Sequence, residues 1–100
     1  NDELQLLYNQ LKARVDISPE ESLKVGATIE ELDINDIDDF IANTSNSKLL
    51  SMYDKLNCGS KNHIRSFTEQ LKAIGSTFVP QFITVDEYNA ILNSPSGSCK

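Results

Sequence analysis

The chain has 100 residues, 39% of them hydrophobic, with a formal net charge of -6 and a pI near 4.6. That length holds one small domain with a modest core, and its acidic balance lacks the basic face that nucleic-acid binding requires. No apolar run approaches the ~18 to 20 residues of a membrane span, and the opening Asn1-Asp2-Glu3-Leu4 has neither the basic n-region nor the apolar h-region of a signal peptide. A soluble acidic domain, mature or excised from something longer, is the expectation.

The first predicted element runs from Glu3 to Val15, where Leu4, Leu6, Leu7, Leu11 and Val15 recur at helical spacing. It ends at Asp16-Ile17-Ser18-Pro19. Ser18 is a good N-cap, Pro19 suits the first helical position and Glu21 falls three residues after the cap, so a long second helix starts near Pro19. That helix carries Leu23, Ala27, Ile34, Ile37 and Ile41 to about Asn43. Thr44-Ser45-Asn46-Ser47 is a polar breaker able to cap a third helix, which carries Leu49, Tyr53, Leu56, Ile64, Phe67, Leu71 and Ile74 and stops at Gly75. Two long helices joined by so short a loop must lie antiparallel.

Beyond Gly75, Ser76 to Ile83 is apolar, β-branched and interrupted by Pro80, which predicts an extended strap packing aromatics over the helices. Thr84 then caps a short helix through Ile91, with Glu87 at the capping-box position. The fold class expected is all-α, a single domain over 1–100 built on a hairpin of two long helices with short flanking helices. The tail 94–100 is loose unless Cys99 is bonded.

Cys58 and Cys99 can form one bridge, closing a loop of ~40 residues and stabilising by roughly 3 to 4 kcal/mol in the chain-entropy model. The alternative is a buried free Cys58 and a loose tail. A bridge would indicate an exported protein, periplasmic or extracellular.

Polar residues interrupt both long apolar stripes. Alternating steps of four and three along the second helix give Leu23, Ala27, Glu30, Ile34, Ile37 and Ile41, so Glu30 takes a core position. On the third helix the same steps give Leu49, Tyr53, Leu56, Ser60, His63, Phe67, Leu71 and Ile74. A turn near Asn46 pairs residues whose numbers add to about 93, as those of Glu30 and His63 do, so these two meet across the hairpin. A buried carboxylate requires compensation. Either the pair is one half of a metal site, since iron, manganese and zinc accept carboxylate oxygen and imidazole nitrogen, or it is a buried hydrogen-bonded pair satisfied by Ser60, Tyr53 or water. Ser60 would line such a site, Asp33, one turn beyond Glu30, could hydrogen-bond and orient a ligand from behind, and Glu31 or Asp33 are reserve ligands. The other acidic residues between Glu30 and Asp39 read as a solvated face. Gly59-Ser60-Lys61-Asn62 lacks the spacing of a phosphate loop. Cys58 and His63, five apart on a helix, point to different faces and form no dyad.

Three separated stretches, Leu23-Lys24-Val25-Gly26-Ala27-Thr28-Ile29-Glu30-Glu31-Leu32-Asp33-Ile34, Cys58-Gly59-Ser60-Lys61-Asn62-His63-Ile64-Arg65-Ser66-Phe67 and Phe82-Ile83-Thr84-Val85-Asp86-Glu87-Tyr88, resemble the ferritin-like family catalogued as domain of unknown function 2202. The resemblance spans Glu3 to about Leu92. It implies a four-helix bundle whose glutamates and histidines hold a dinuclear centre, usually of iron, with Glu30 matching the glutamate of the third bundle helix and His63 the histidine of the fourth. Ser60 stands where many ferritin-like proteins carry a second glutamate. The chain further resembles only the C-terminal half of such a bundle, which implies that the first two helices lie on another chain, that two copies associate, or that the half domain acts on its own. The functional expectation is a metal-binding domain with a partial site for iron binding or oxidation. The alternative is a non-catalytic helical structural or interaction module; which reaction, if any, is catalysed does not follow from these residues.

Overall fold

The computed structural model describes residues 2–15 and 17–99, and the side chain of Val15 together with all of Asp16 lies outside that description. Four helices follow one another: α1 (Asp2–Val15), α2 (Pro19–Ala42), α3 (Ser47–Ala73) and α4 (Val85–Asn93). No strand occurs among the described residues.

Each boundary of the hairpin is written in local chemistry. Ser18 Oγ accepts the Glu21 backbone N–H at 3.1 Å with Pro19 opening the helix, and Asn46 Oδ1 accepts Lys48 and Leu49 N–H at 3.0 and 3.1 Å. Gly75 at φ +76° turns the chain out of α3, while Ser76 N–H donates to Leu71 O at 2.9 Å. A left-handed residue there closes the last turn, and glycine adopts it without a Cβ penalty. Thr84 Oγ1 accepts Glu87 N–H at 3.0 Å to start α4.

The core lies on one side of the hairpin. Ala27 and Ile34 of α2 and Ile64 and Leu71 of α3 pack against Phe78, Ile83, Tyr88 and Ile91 from the strap and α4. Phe78 and Tyr88 meet edge-on at 5.8 Å, and the Tyr88 hydroxyl hydrogen-bonds Thr68 Oγ1 at 2.8 Å, so the ring buries its body while its polar tip is satisfied. The strap is pinned by Glu31, which is 0% exposed. Its Oε1 accepts the N–H groups of Gln81, Phe82 and Ile83 at 2.8, 3.0 and 3.2 Å, and Asn35 Nδ2 donates to Phe82 O at 2.6 Å. These bonds give the irregular backbone partners that a helix would have supplied.

The tail is tied down. Cys58 and Cys99 are disulfide-bonded with Cα atoms 5.7 Å apart. Asn62 Nδ2 donates to Gly97 O at 2.9 Å, and Arg65 reaches both Ile91 O at 2.7 Å and Asn62 Oδ1 at 2.6 Å.

Two expectations need correction. In α1, Leu4 and Leu6 are each 60% exposed and, among the described side chains, only Leu11 is buried, because α1 packs on α2. In α3 the buried positions are Ser60, Ile64 and Leu71, whereas Leu49 and Leu56, and Ile74 just after the helix, are exposed. Ile64 and Leu71 turn toward the strap and α4, which leaves part of the apolar stripe of α3 facing outward.

Candidate functional site

Glu30 and His63 meet as the register requires: Nδ1 of the ring lies 3.0 Å from Glu30 Oε1. Their surroundings differ from those expected. The Glu30 side chain is 14% exposed but that of His63 is 64% exposed, so the pair sits at the rim of the hairpin contact with the ring facing outward. The rotation of α3 accounts for this, since a residue about 80° from the helix's buried line lies on its flank. Glu30 Oε2 is buried without a hydrogen-bond partner.

The remaining candidates separate around this pair. Ser60, one turn before His63 on α3, is buried in the hairpin contact. Asp33 is exposed and lies near enough to His63 for the ring to favour its charged form, yet its carboxyl is raised above its ordinary value, first by partial burial and then by the charge of Asp36. Glu31 is not at the pair. One residue on from Glu30, it turns toward the strap and spends Oε1 on three N–H groups, which removes it as a reserve ligand. Tyr53 stacks on Phe40 with ring centroids 5.5 Å apart. Among the described residues no group of three or more His, Cys, Asp or Glu side chains converges on a point where a metal ion could be held.

The role of Glu31 as the strap's anchor did not emerge from the sequence. A signal was available: Ala27, Glu31 and Ile34 form a second stripe at four-three spacing, aimed at whatever covers the hairpin. Asn62 and Arg65, which hold the tail, carried no comparable signal.

A groove between α1 and α2, about 680 Å³, is lined by Leu4, Leu7, Tyr8, Leu11, Val25 and Ile29, with Asp33 and Asp36 at its edge. Leu49, Met52 and Leu56 of α3 are exposed as well, so the fold leaves apolar surface outside the core beneath the strap, with the His63 ring also facing outward.

These features define a small all-helical hairpin domain whose core beneath the strap leaves apolar surface uncovered. The family model described as "Uncharacterized protein domain (DUF2202)" matches residues 1–95, and the chain belongs to that family. Over 94 residues it is 42% identical to "Uncharacterized protein MJ0754" of Methanocaldococcus jannaschii, covering 94% of this chain and 51% of that protein. The crystal structure of hypothetical protein MJ0754 superposes with a TM-score of 0.89 at 40% identity, over 97% of this chain and 55% of that one. The chain therefore spans about half the length of the relative it matches. No helix among the described residues is long and apolar enough to cross a membrane.

Proposed function

We propose that this chain is a metal-binding half of a ferritin-like helical bundle, in which Glu30 and His63 are its contribution to a centre completed by other helices. The carrying observation is the 3.0 Å Glu30–His63 pair at the rim of the hairpin, with Glu30 Oε2 buried and unpartnered. A carboxylate and an imidazole suit iron, and also manganese or zinc. Two donors make half a centre, so the donor set fits the metal as a contribution and calls for a second half. The chain's coverage of about half its relative's length supports the same reading. That second half would come from an N-terminal half-bundle or from a second copy of this chain.

When bound, iron would supply the redox or Lewis-acid chemistry. Glu30 would hold the imidazole in one tautomer and orientation, Ser60 would line the inner side, and Asp33 would add negative potential at the entrance. The Cys58–Cys99 bridge supports an exported protein acting in the periplasm or outside the cell.

Metal analysis of the purified wild type, Glu30→Ala and His63→Ala tests the proposal. The wild type is expected to retain metal that both variants lose, whereas equally low content in all three would overturn it. The absence of a third converging donor among the described residues favours a second reading, a non-catalytic helical interaction module. It requires the helicity and oligomeric state to be the same with and without a chelator.

A further inference from the structure

We propose that Asn43, at the closed end of the α2–α3 hairpin, is a modification site that carries an N-linked glycan in the exported protein. The inference rests on the export reading above, not on the metal-binding one, and adds to it a site on the opposite end of the hairpin from the strap's attachment at Gly75.

The chain has nine asparagines, and only Asn43-Thr44-Ser45 places a hydroxyl residue two positions on with a residue other than proline between, the order an acceptor asparagine requires. So short a pattern identifies nothing alone, and its place in the fold decides. Asn43 follows directly on α2 and opens the loop 43–46 into α3. Asn43 and Ser45 are exposed, and no residue from Asp38 to Leu56 is buried. The core cluster takes no residue between Ile34 and Ile64. The hairpin therefore carries its closed end clear of the core, where a bulky polar group displaces no packing.

The disulfide is the independent observation. Cys58 and Cys99 are joined, and such a bond persists where exported chains are found, which is also where acceptor asparagines are used.

The local chemistry permits attachment. Asn43 Nδ2 donates to Asp39 O at 2.7 Å at the water-exposed end of α2. A carboxamide nitrogen has two hydrogens, so one can be replaced while the other still donates to Asp39 O. In the transfer, Nδ2 attacks the anomeric carbon of a sugar carried on a lipid phosphate. The N–C bond forms as the C–O bond to the phosphate breaks, the lipid phosphate leaves with that electron pair, and Nδ2 gives one proton to a base of the transferase. Nothing is oxidised or reduced. The glycan would stand one helical turn from Phe40, whose ring is 52% exposed and stacks on Tyr53, and so would shield apolar surface that the fold leaves uncovered.

Mass spectrometry of the protein isolated from its own organism tests this. The tryptic peptide between Lys24 and Lys48 should be heavier by a whole number of sugar residues, with fragment ions placing them on Asn43. In a host that glycosylates exported proteins, Asn43→Gln and Ser45→Ala should both lose the added mass and Thr44→Ala should keep it, all at unchanged helicity. Ser45→Ala retains the asparagine and removes only the hydroxyl that the transferase reads. Added mass that survives Asn43→Gln or Ser45→Ala would overturn the inference. A bare Asn43 in an exported, disulfide-bonded protein removes the glycan alone, whereas a cytosolic protein with two titratable thiols removes the export reading and the glycan together.

Discussion

Replacing Glu31 should damage the fold more than replacing any other carboxylate in the chain. Its side chain is 0% exposed, and Oε1 receives the N–H groups of three successive strap residues. Glu31→Ala leaves all three without that acceptor. Gln81 and Phe82 are exposed enough for water to take over, at about 0.5 to 1.5 kcal/mol each, but Ile83 is buried, and an unsatisfied buried N–H costs about 1 to 3 kcal/mol. With the void left by the missing methylene and carboxyl, the loss should be about 3 to 5 kcal/mol, a large part of the ~5 to 15 kcal/mol that stabilises a small domain. Glu31→Gln keeps one acceptor oxygen but not its charge, and should lose about 1 to 3 kcal/mol because charge-assisted bonds are the stronger ones. Urea unfolding followed by circular dichroism measures both, the slope showing whether the unfolded state has changed. The reasoning fails if Glu31→Gln is as stable as the wild type or more so, since the cost of burying a carboxylate whose Oε2 has no partner would then exceed what three N–H groups return.

Removing the disulfide with Cys58→Ser/Cys99→Ser should lower stability by about 4 kcal/mol in the chain-entropy model for a sequence separation of 41; equal urea midpoints for the variant and the oxidised wild type would contradict this. Gly26 and Gly59 should respond oppositely to alanine. A Cβ at Gly26 would lie 2.6 Å from Phe67 Cζ, so overpacking should outweigh the gain in helix propensity by about 1 kcal/mol, a loss that Phe67→Leu should relieve in a double-mutant cycle. A Cβ at Gly59 meets nothing within 4 Å, and Gly59→Ala should raise the melting temperature by the equivalent of about 0.5 to 1 kcal/mol. The Glu20 carboxyl is held below its ordinary value, first by the Ser76 hydroxyl and then by Lys24. Its contribution is present above its unfolded-state value near 4.5 and is lost as pH falls through the lower folded-state value. The stability difference between wild type and Glu20→Gln should accordingly shrink on acidification below that range, and a difference constant with pH would refute the assignment.

The helix limits, the hairpin and the level at which Glu30 meets His63 were legible in the sequence because each depends on local chemistry. Ser18-Pro19, Asn46, Gly75 and Thr84 start or stop their helices through bonds to backbone groups within a few residues. A short loop between antiparallel helices then leaves little freedom in which residues lie at the same height. The pairing of Cys58 with Cys99 was one of two readings left open.

Rotation about the helix axis was beyond the sequence. The candidate stripes on α3 are both largely apolar, and hydrophobicity does not distinguish a position that has found its partner from one that has not. Only the packing of Phe78, Ile83, Tyr88 and Ile91 on one side decided that Ile64 and Leu71 are buried while Leu49, Leu56 and Ile74 face outward. The same turn of α3 put His63 on the rim, while on α2 the step of about 100° between neighbours points Glu30 at His63 and Glu31 at the strap. Height along a helix follows from counting residues at 1.5 Å each, but direction around it is set by which neighbouring surfaces win the competition for the same apolar stripe, and those neighbours are distant in sequence.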